Sequence, residues 1–161
     1  TAKMAGTETG IVDPIAAFSP CYGGPFLTLH PLVYAKLLQE KLSKHRVPIY
    51  LVNTGWSGSN ASSGSKRIDL KLTKHIIELI TDDKLDFNDS VKDKFFNFDI
   101  PINLEGLNND FLVPDQGWKN LDEYYKTGNM LTELFNKNFQ KFDILDQDIL
   151  NAGPKTQSGG L

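Results

Sequence analysis

Apolar residues recur at three- and four-residue intervals in several stretches of the chain, which is the spacing of one face of an α-helix. The first stretch follows Pro31, whose missing backbone N–H suits the first turn of a helix, and it predicts a helix over residues 31–45. Three further helices are predicted: one of about ten residues over 72–80, a long one after 114–116 that Gly128 divides, and a short one over 146–151.

A run that is apolar at every position predicts a strand over residues 49–52, because it is short and contains β-branched and aromatic side chains. Such a strand is buried on both faces, as in a parallel or mixed sheet. Residues 67–70 and 95–100 are predicted as further extended pieces, and the second of these stops at Pro101. Because strands alternate with helices along the chain, we expect an α/β fold with a mixed sheet flanked by helices.

The chain has 161 residues, about the length of one domain, and 40% of them are hydrophobic, which is typical of a globular protein. Its formal net charge of −3 argues against a nucleic-acid-binding surface built on a broad basic face. No apolar run reaches the roughly 18 residues of a membrane-spanning helix. The single cysteine, Cys21, cannot form an internal disulfide, so we expect a reducing compartment.

Both ends of the chain have the features of a cut rather than of a complete domain. The chain begins at Thr1 rather than at an initiator methionine, and residues 156–161 are small and polar until the last position. We therefore expect residues 1–161 to be a single partial domain of a longer protein, with residues 156–161 as a loose tail. A domain cut in this way is expected to expose apolar strand edges, which predicts low stability or self-association.

A glycine- and serine-rich loop between the predicted strand and the next helix is the first candidate binding site, since ligands of α/β proteins bind at the carboxyl ends of strands. A phosphate-binding P-loop has four residues between its first glycine and a Gly-Lys-Ser/Thr sequence. Here Gly58 and Gly64 have five residues between them, and Ser65, Lys66 and Arg67 follow. This spacing argues against an unrelated small kinase, and a flexible surface loop is the alternative interpretation.

Arg67 is the second candidate, because its planar guanidinium can stack on a ring or bind a phosphate. An isolated arginine is more often a surface residue, and Thr73 is more often a hydroxyl in the first turns of a helix than a ligand contact. The three histidines, His30, His45 and His75, have neither metal-ligand spacing nor a cysteine partner, so no metal site is predicted. His30 is instead interpreted as a cap of the first helix.

A series of ordered sequence blocks is more specific than any of these single features. The blocks are Thr1–Glu8, Phe18–Gly23, Leu29–Pro31, Leu51–Trp56, Lys66–Ile68, Phe98–Pro101, Leu131–Phe142 and Ala152–Lys155. In this order they resemble the C-terminal part of the ATP-dependent phosphoenolpyruvate carboxykinase family. The resemblance covers nearly the whole chain.

The resemblance implies that the chain is part of the family's C-terminal mononucleotide-binding domain and that the complete protein is a carboxy-lyase. Such enzymes convert oxaloacetate and ATP to phosphoenolpyruvate, carbon dioxide and ADP in gluconeogenesis. Mg²⁺ and Mn²⁺ offset the negative charge that collects on the phosphoryl oxygens and on the enolate intermediate. Adenine nucleotide, the two cations and oxaloacetate are therefore the implied ligands of the complete protein.

Residue by residue, the resemblance implies a nucleotide-binding role for Arg67, Ile68 and Thr73. The arginine would stack on the adenine ring, the isoleucine would make an apolar contact, and the threonine would contact the base. The family's phosphate-binding loop, metal ligands and oxaloacetate-binding arginines match no residue of this chain, so we expect no catalytic residue and no metal ligand in it. The chain alone is then expected to be inactive, and a non-catalytic nucleotide-binding or interaction module of the same fold is the alternative.

Overall fold

The structure, a computed structural model, describes residues 2–3, 6, 9–12, 15–18, 26–59, 65–144 and 146–158. The chain divides into two compact units. Unit 1 contains Thr1–Val52 and Phe135–Ala152, and unit 2 contains Asn53–Leu134 and Gly153–Leu161. Each unit is therefore built from two separate stretches of the sequence.

Helices supply most of the regular structure, and the strands are short. In chain order the elements are β1 (Ala2–Lys3), β2 (Ile15–Ala16), α1 (Pro31–His45), β3 (Trp56–Ser57), β4 (Lys66–Arg67), α2 (Leu70–Thr81), β5 (Ser90–Lys92), β6 (Asp99–Pro101), α3 (Asn109–Leu112), α4 (Pro114–Gly117), α5 (Leu121–Phe139), a 3₁₀ helix (Gln140–Phe142) and α6 (Gln147–Asn151). The predicted helices over 31–45, 72–80 and 146–151 are confirmed as α1, α2 and α6. In the described ranges, no helix combines the length and the apolar character needed to cross a membrane.

Helix α1 of unit 1 forms where it was predicted because both of its ends are capped locally. His30 is the N-cap residue, and its Nδ1 accepts a hydrogen bond from the backbone N–H of Leu32 at 3.3 Å. The second ring nitrogen, Nε2, then donates to the carbonyl oxygen of Phe142 at 3.0 Å. At the other end Arg46 has a φ of 51°, and its N–H donates to the carbonyl oxygen of Leu42 at 2.7 Å. The interpretation of His30 as a cap is confirmed.

The strands form three two-stranded antiparallel sheets, β1–β2, β3–β4 and β5–β6, in the part of the chain that is described. The combination of helices and strands confirms the α/β class, whereas the described residues do not form the expected mixed sheet. The predicted strand over 49–52 is wrong, because these residues lie in no β-ladder and Ile49, Leu51 and Val52 are exposed. A strand buried on both faces needs neighbouring strands, and the described part of the chain supplies none beside this run.

A small core lies in unit 2. The residues that share it come from α2, from the loops on either side of β6 and from the segments around α4 and α5. They are Leu79, Phe95, Leu104, Val113 and Tyr124, together with the fully buried Thr132. Aromatic edge-to-face contacts bind this core together, since the rings of Phe95 and Tyr124 have centroids 5.5 Å apart.

Gly128 does not divide the long helix, because α5 continues through it from Leu121 to Phe139. Its role is instead to let the ring of Phe95 approach the helix backbone. A Cβ atom at position 128 would lie 2.2 Å from the nearest carbon of that ring, far inside van der Waals contact. Glycine is therefore required here by packing rather than by backbone conformation.

The segment after α6 returns to unit 2 and is held there by hydrogen bonds. The N–H of Lys155 donates to the carbonyl oxygen of Phe95 at 2.9 Å. Asn129 on α5 exchanges two bonds with Gln157, accepting from its N–H at 2.8 Å and donating Nδ2–H to its carbonyl oxygen at 2.9 Å. These bonds hold Gln157, which lies inside the tail predicted to be loose, and the last three residues of that tail lie outside the described residues, where its looseness stays a prediction.

Candidate functional site

The candidate nucleotide-binding residues lie at a short β-hairpin of unit 2. Strands β3 and β4 pair antiparallel, which places Trp56 directly opposite Arg67 and Ser57 directly opposite Lys66. Side chains that are directly opposite in an antiparallel pair project from the same face of the sheet. The register therefore brings the indole of Trp56 and the guanidinium of Arg67 together on one face.

The contact between these two side chains has the geometry of a cation–π interaction. The guanidinium carbon of Arg67 lies over the indole of Trp56, 5.7 Å from the ring centroid. Trp56 is half-buried, whereas Arg67 is exposed. One side of the guanidinium is thus covered by a ring that is itself packed into the unit, while the group remains accessible to a ligand from solvent.

Close backbone contacts hold the hairpin in place. Gly58 follows β3 with a φ of 82°, and a Cβ atom there would lie 2.9 Å from the carbonyl oxygen of Gly117. A Cβ atom on Gly117 would in turn lie 2.6 Å from the carbonyl oxygen of Asp110. Before β3, the side chain of Asn53 accepts a hydrogen bond from the N–H of Gly55 at 2.9 Å. The two glycines therefore allow the hairpin to pack directly against the α3–α4 segment.

Ile68 and Thr73 continue from the same hairpin into α2. The N–H of Ile68 donates to the carbonyl oxygen of Gly55 at 2.9 Å, which extends the strand pairing by one bond. Asp69 is the N-cap of α2, and the hydroxyl of Thr73 donates to its carbonyl oxygen at 3.2 Å. The structure thus places Arg67 and Ile68 at the end of the hairpin and Thr73 in the first turns of the helix that follows.

Two features singled out in the sequence lie outside the described residues. These are Cys21 and the central part of the glycine- and serine-rich loop, residues 60–64. The comparison of that loop with a P-loop therefore has no structural counterpart here, since Gly64 is among those residues.

The described ranges offer no cation site of the kind the family resemblance implies for the complete protein. Within them, no group of three or more histidine, cysteine, aspartate or glutamate side chains is arranged to hold a metal ion. These residues do not fit a Mg²⁺ or Mn²⁺ centre, so no chemical step on this chain is assigned to a metal.

A cluster around Lys94 in unit 2 was not anticipated from the sequence. Lys94 Nζ donates to Asp115 Oδ2 at 2.6 Å and to the hydroxyl of Tyr125 at 2.9 Å. These two bonds, the one to Asp115 first, raise the pKa of the Lys94 ammonium above its ordinary value. The other oxygen of Asp115, Oδ1, is buried and has no hydrogen-bond partner among the described residues. The three residues are far apart in sequence, and no spacing pattern signals their contact.

Comparison with known proteins gives the hairpin a family context. The family model of phosphoenolpyruvate carboxykinase matches residues 1–110, which include β3, β4 and the whole of α2. The match therefore covers Arg67, Ile68 and Thr73, and it ends before α4 and α5.

Curated relatives extend the similarity to almost the full chain. The phosphoenolpyruvate carboxykinase (ATP) of Caldanaerobacter subterraneus subsp. tengcongensis is 45% identical over 155 residues, which are 96% of this chain and 30% of the relative. That of Alkaliphilus oremlandii is 45% identical over 157 residues, or 98% of this chain and 30% of the relative. That of Emericella nidulans is 39% identical over 158 residues and is covered to 26%. This chain, which spans less than a third of each of these relatives, belongs to the phosphoenolpyruvate carboxykinase family.

Proposed function

We propose that this chain is the adenine-binding part of an ATP-dependent phosphoenolpyruvate carboxykinase. The complete protein would convert oxaloacetate and ATP to phosphoenolpyruvate, carbon dioxide and ADP. Cleavage of a carbon–carbon bond releases carbon dioxide and leaves its electron pair in an enolate, whose oxygen then takes the γ-phosphoryl group as ADP departs. The chain alone would be inactive, because the residues for phosphate transfer and decarboxylation would lie in the rest of the protein.

The observation that carries the proposal is the placement of Arg67. Its guanidinium is exposed and lies over the indole of Trp56 at the end of a hairpin that is fixed by close glycine contacts. A planar purine can stack on a planar guanidinium, and the half-buried Ile68 would supply apolar contact beside it. These features suit an uncharged aromatic base better than a phosphate group.

The hydrogen bonding of Thr73 adds a preference between purines. Because its hydroxyl hydrogen is directed to the carbonyl oxygen of Asp69, the hydroxyl oxygen can only accept from a ligand in this arrangement. Adenine has an amino group, a donor, at the position where guanine has a carbonyl oxygen, an acceptor. Thr73 would therefore favour ATP over GTP.

Several properties of the complete protein remain proposals that only the family resemblance supports. They are the use of Mg²⁺ and Mn²⁺ and a role in gluconeogenic metabolism. A cytoplasmic location has the single cysteine, Cys21, as its further support. We also propose that the two units belong to one partial domain that associates with itself through exposed apolar segments.

The test is calorimetric titration of the 161-residue chain with ATP, GTP and inorganic tripolyphosphate. Arg67→Ala is compared with Lys66→Ala, which removes the same charge from the same strand but on the opposite face. We expect weak ATP binding that is lost in Arg67→Ala and kept in Lys66→Ala. Thr73→Val, which removes the hydroxyl with little change in volume, should reduce the preference for ATP over GTP.

The same titration also gives the results that would contradict the proposal. ATP binding that Arg67→Ala leaves unchanged would place the base elsewhere on the chain. Equal losses in Arg67→Ala and Lys66→Ala would indicate attraction of the phosphates by positive charge rather than recognition of the base. Turnover of oxaloacetate by the purified chain would contradict its proposed inactivity.

A further inference from the structure

Trp56 has no assigned role in the reaction, yet its contact with Arg67 is the best-defined feature of the hairpin. The two residues are direct cross-strand partners, and the guanidinium carbon lies 5.7 Å from the indole centroid. Trp56 is half-buried in unit 2, so the indole is a fixed surface against which the longer and more mobile side chain can rest.

An exposed arginine on a short strand would otherwise have many accessible side-chain rotamers. Binding a base by stacking requires one of them, and selecting it opposes binding through the loss of side-chain entropy. A ring on one side of the guanidinium reduces that loss, because the group is already held before the ligand arrives. Cation–π attraction to the indole supplies the holding force and needs no charged partner that would compete with the ligand.

We propose that Trp56 is the positioning residue of the adenine site: its indole holds the Arg67 guanidinium from one side and presents the other side to the purine ring. The bound state is then a three-layer stack of indole, guanidinium and base. This inference rests on the proposed contact of Arg67 with adenine. It adds that the contact depends on a second residue, the aromatic Trp56, which the ligand itself does not touch.

The experiment measures the coupling between the two residues in the 161-residue chain. ATP affinity is determined by calorimetry for the original chain, Trp56→Leu, Arg67→Ala and the variant carrying both substitutions, with inorganic tripolyphosphate as the ligand that lacks a base. Trp56→Phe keeps an aromatic ring at the position. Trp118→Phe is the matched control, because Trp118 packs on Tyr124 instead of on an arginine. Circular dichroism establishes that each variant is folded.

We expect Trp56→Leu to weaken ATP binding about two- to fivefold and Trp56→Phe to restore most of the affinity. Trp118→Phe should leave the affinity unchanged, and none of the tryptophan variants should change binding of tripolyphosphate. In the Arg67→Ala background, Trp56→Leu should have no further effect, since the residue through which it acts is gone.

A second readout follows the indole directly. In a Trp118→Phe background Trp56 is the only tryptophan, because the sequence has two. Saturating ATP should then change its fluorescence, and Arg67→Ala should abolish that change. A residue that merely supported the fold would give no such signal linked to the arginine.

The outcomes separate this inference from the function on which it rests. ATP binding that depends on Arg67 but is the same in Trp56→Leu would overturn the positioning role and leave the adenine site standing. A further loss from Trp56→Leu in the Arg67→Ala background would also overturn it, because Trp56 would then contact the base itself. Absence of ATP binding to the original chain would overturn both.

Discussion

Units 1 and 2 carry similar apolar runs but bury them very differently. Each buried residue in the described part of the chain belongs to unit 2, where Phe95 is 4% exposed and Tyr124 7%. Helix α1 of unit 1 has no buried residue, and Leu51 in the same unit is 72% exposed. Among the described residues, the apolar side chains of unit 1 are therefore less covered than those of unit 2.

The difference shows which parts of a fold are local and which are not. Helix α1 forms in unit 1 because its hydrogen bonds and caps come from its own neighbours in sequence. The run over 49–52 cannot form a strand by itself, since every backbone bond of a strand must come from another segment. In unit 2 the residues that pack against one another in the core all belong to the same unit.

The largest effect in this comparison is expected from truncating the core of unit 2. Phe95→Ala should lower the free energy of unfolding by about 3–5 kcal/mol, because it removes a buried ring and leaves a cavity. Phe98→Ala is the matched control, since Phe98 lies three residues away and is 51% exposed. Urea titration followed by tryptophan fluorescence measures the effect, because Trp56 and Trp118 both lie in unit 2. Similar losses in both variants would show that the core is not where it is described.

The second largest effect on the free energy of unfolding is expected from Gly128→Ala. Alanine in a helix is ordinarily more stable than glycine by about 1 kcal/mol, so propensity alone predicts stabilisation. The approach of Phe95 predicts the opposite sign, a loss of about 1–3 kcal/mol from overpacking. The same urea titration decides between them. Combining the change with Phe95→Leu should recover part of the loss, and a stabilised Gly128→Ala would contradict the packing.

Lys94→Met should lower the free energy of unfolding of unit 2 by about 1–3 kcal/mol, because it leaves a largely buried carboxylate, Asp115, without its partner. The control is Lys92→Met. Lys92 pairs with Asp99 at 2.8 Å, but both of these side chains are more than half exposed, so the expected change is below about 1 kcal/mol. Equal losses in the two variants would indicate that burial of the Lys94 cluster has no effect.

The same cluster predicts a pH dependence. The pKa of Lys94 is raised in the folded state by its bonds to Asp115 and Tyr125, and burial raises the pKa of Tyr124. Above about pH 10 the unfolded chain loses these protons while the folded chain keeps them, so stability should fall as pH rises. Tyr124→Phe and Lys94→Met should each make the fall shallower in urea titrations between about pH 9 and pH 11. An unchanged slope in both would contradict the shifts.

The smallest effect on stability is expected in unit 1. Leu51→Lys should change the free energy of unfolding, followed by circular dichroism, by less than about 0.5 kcal/mol, because the side chain is already exposed. It should nevertheless reduce self-association of the chain in sedimentation measurements, since a charge disfavours apolar contact between copies. Lys41→Ala on the surface of α1 is the control. Strong destabilisation by Leu51→Lys would show that the run is covered.

The sequence was sufficient for those elements whose signals are local. Pro31, the apolar spacing after it and the polar residues around it located α1, and similar signals located α2 and α6. The extended piece over 95–100 was only partly correct: residues 94–96 form a turn, and β6 begins at Asp99. There the Asp93 side chain accepts from the N–H groups of Phe95 and Phe96, which favours the turn over a strand.

The features that the sequence did not predict depend on contacts between residues that are distant in sequence. In sequence Gly128 is typical of a helix break, and only the ring of Phe95 packed against it explains why glycine is required there. Trp56 and Arg67 flank a loop whose length hides their pairing, so the cross-strand contact could be found only once the register was known. The role of Arg67 itself came from family resemblance, since an isolated arginine carries no specific signal.

The bonds that join Lys155 to Phe95 and Gln157 to Asn129 have a consequence for the order of events during translation. The second stretch of unit 1 lies in sequence between the two stretches of unit 2. The ribosome therefore synthesises residues 135–152 before it synthesises residues 153–158. At a synthesis rate of roughly 5–20 residues per second, unit 2 waits for on the order of a second or more after Leu134 before these partners exist. During that interval the carbonyl oxygen of Phe95 and the side chain of Asn129 lack these bonds, so the hydrogen bonding of unit 2 is completed only after the second stretch of unit 1 has been made.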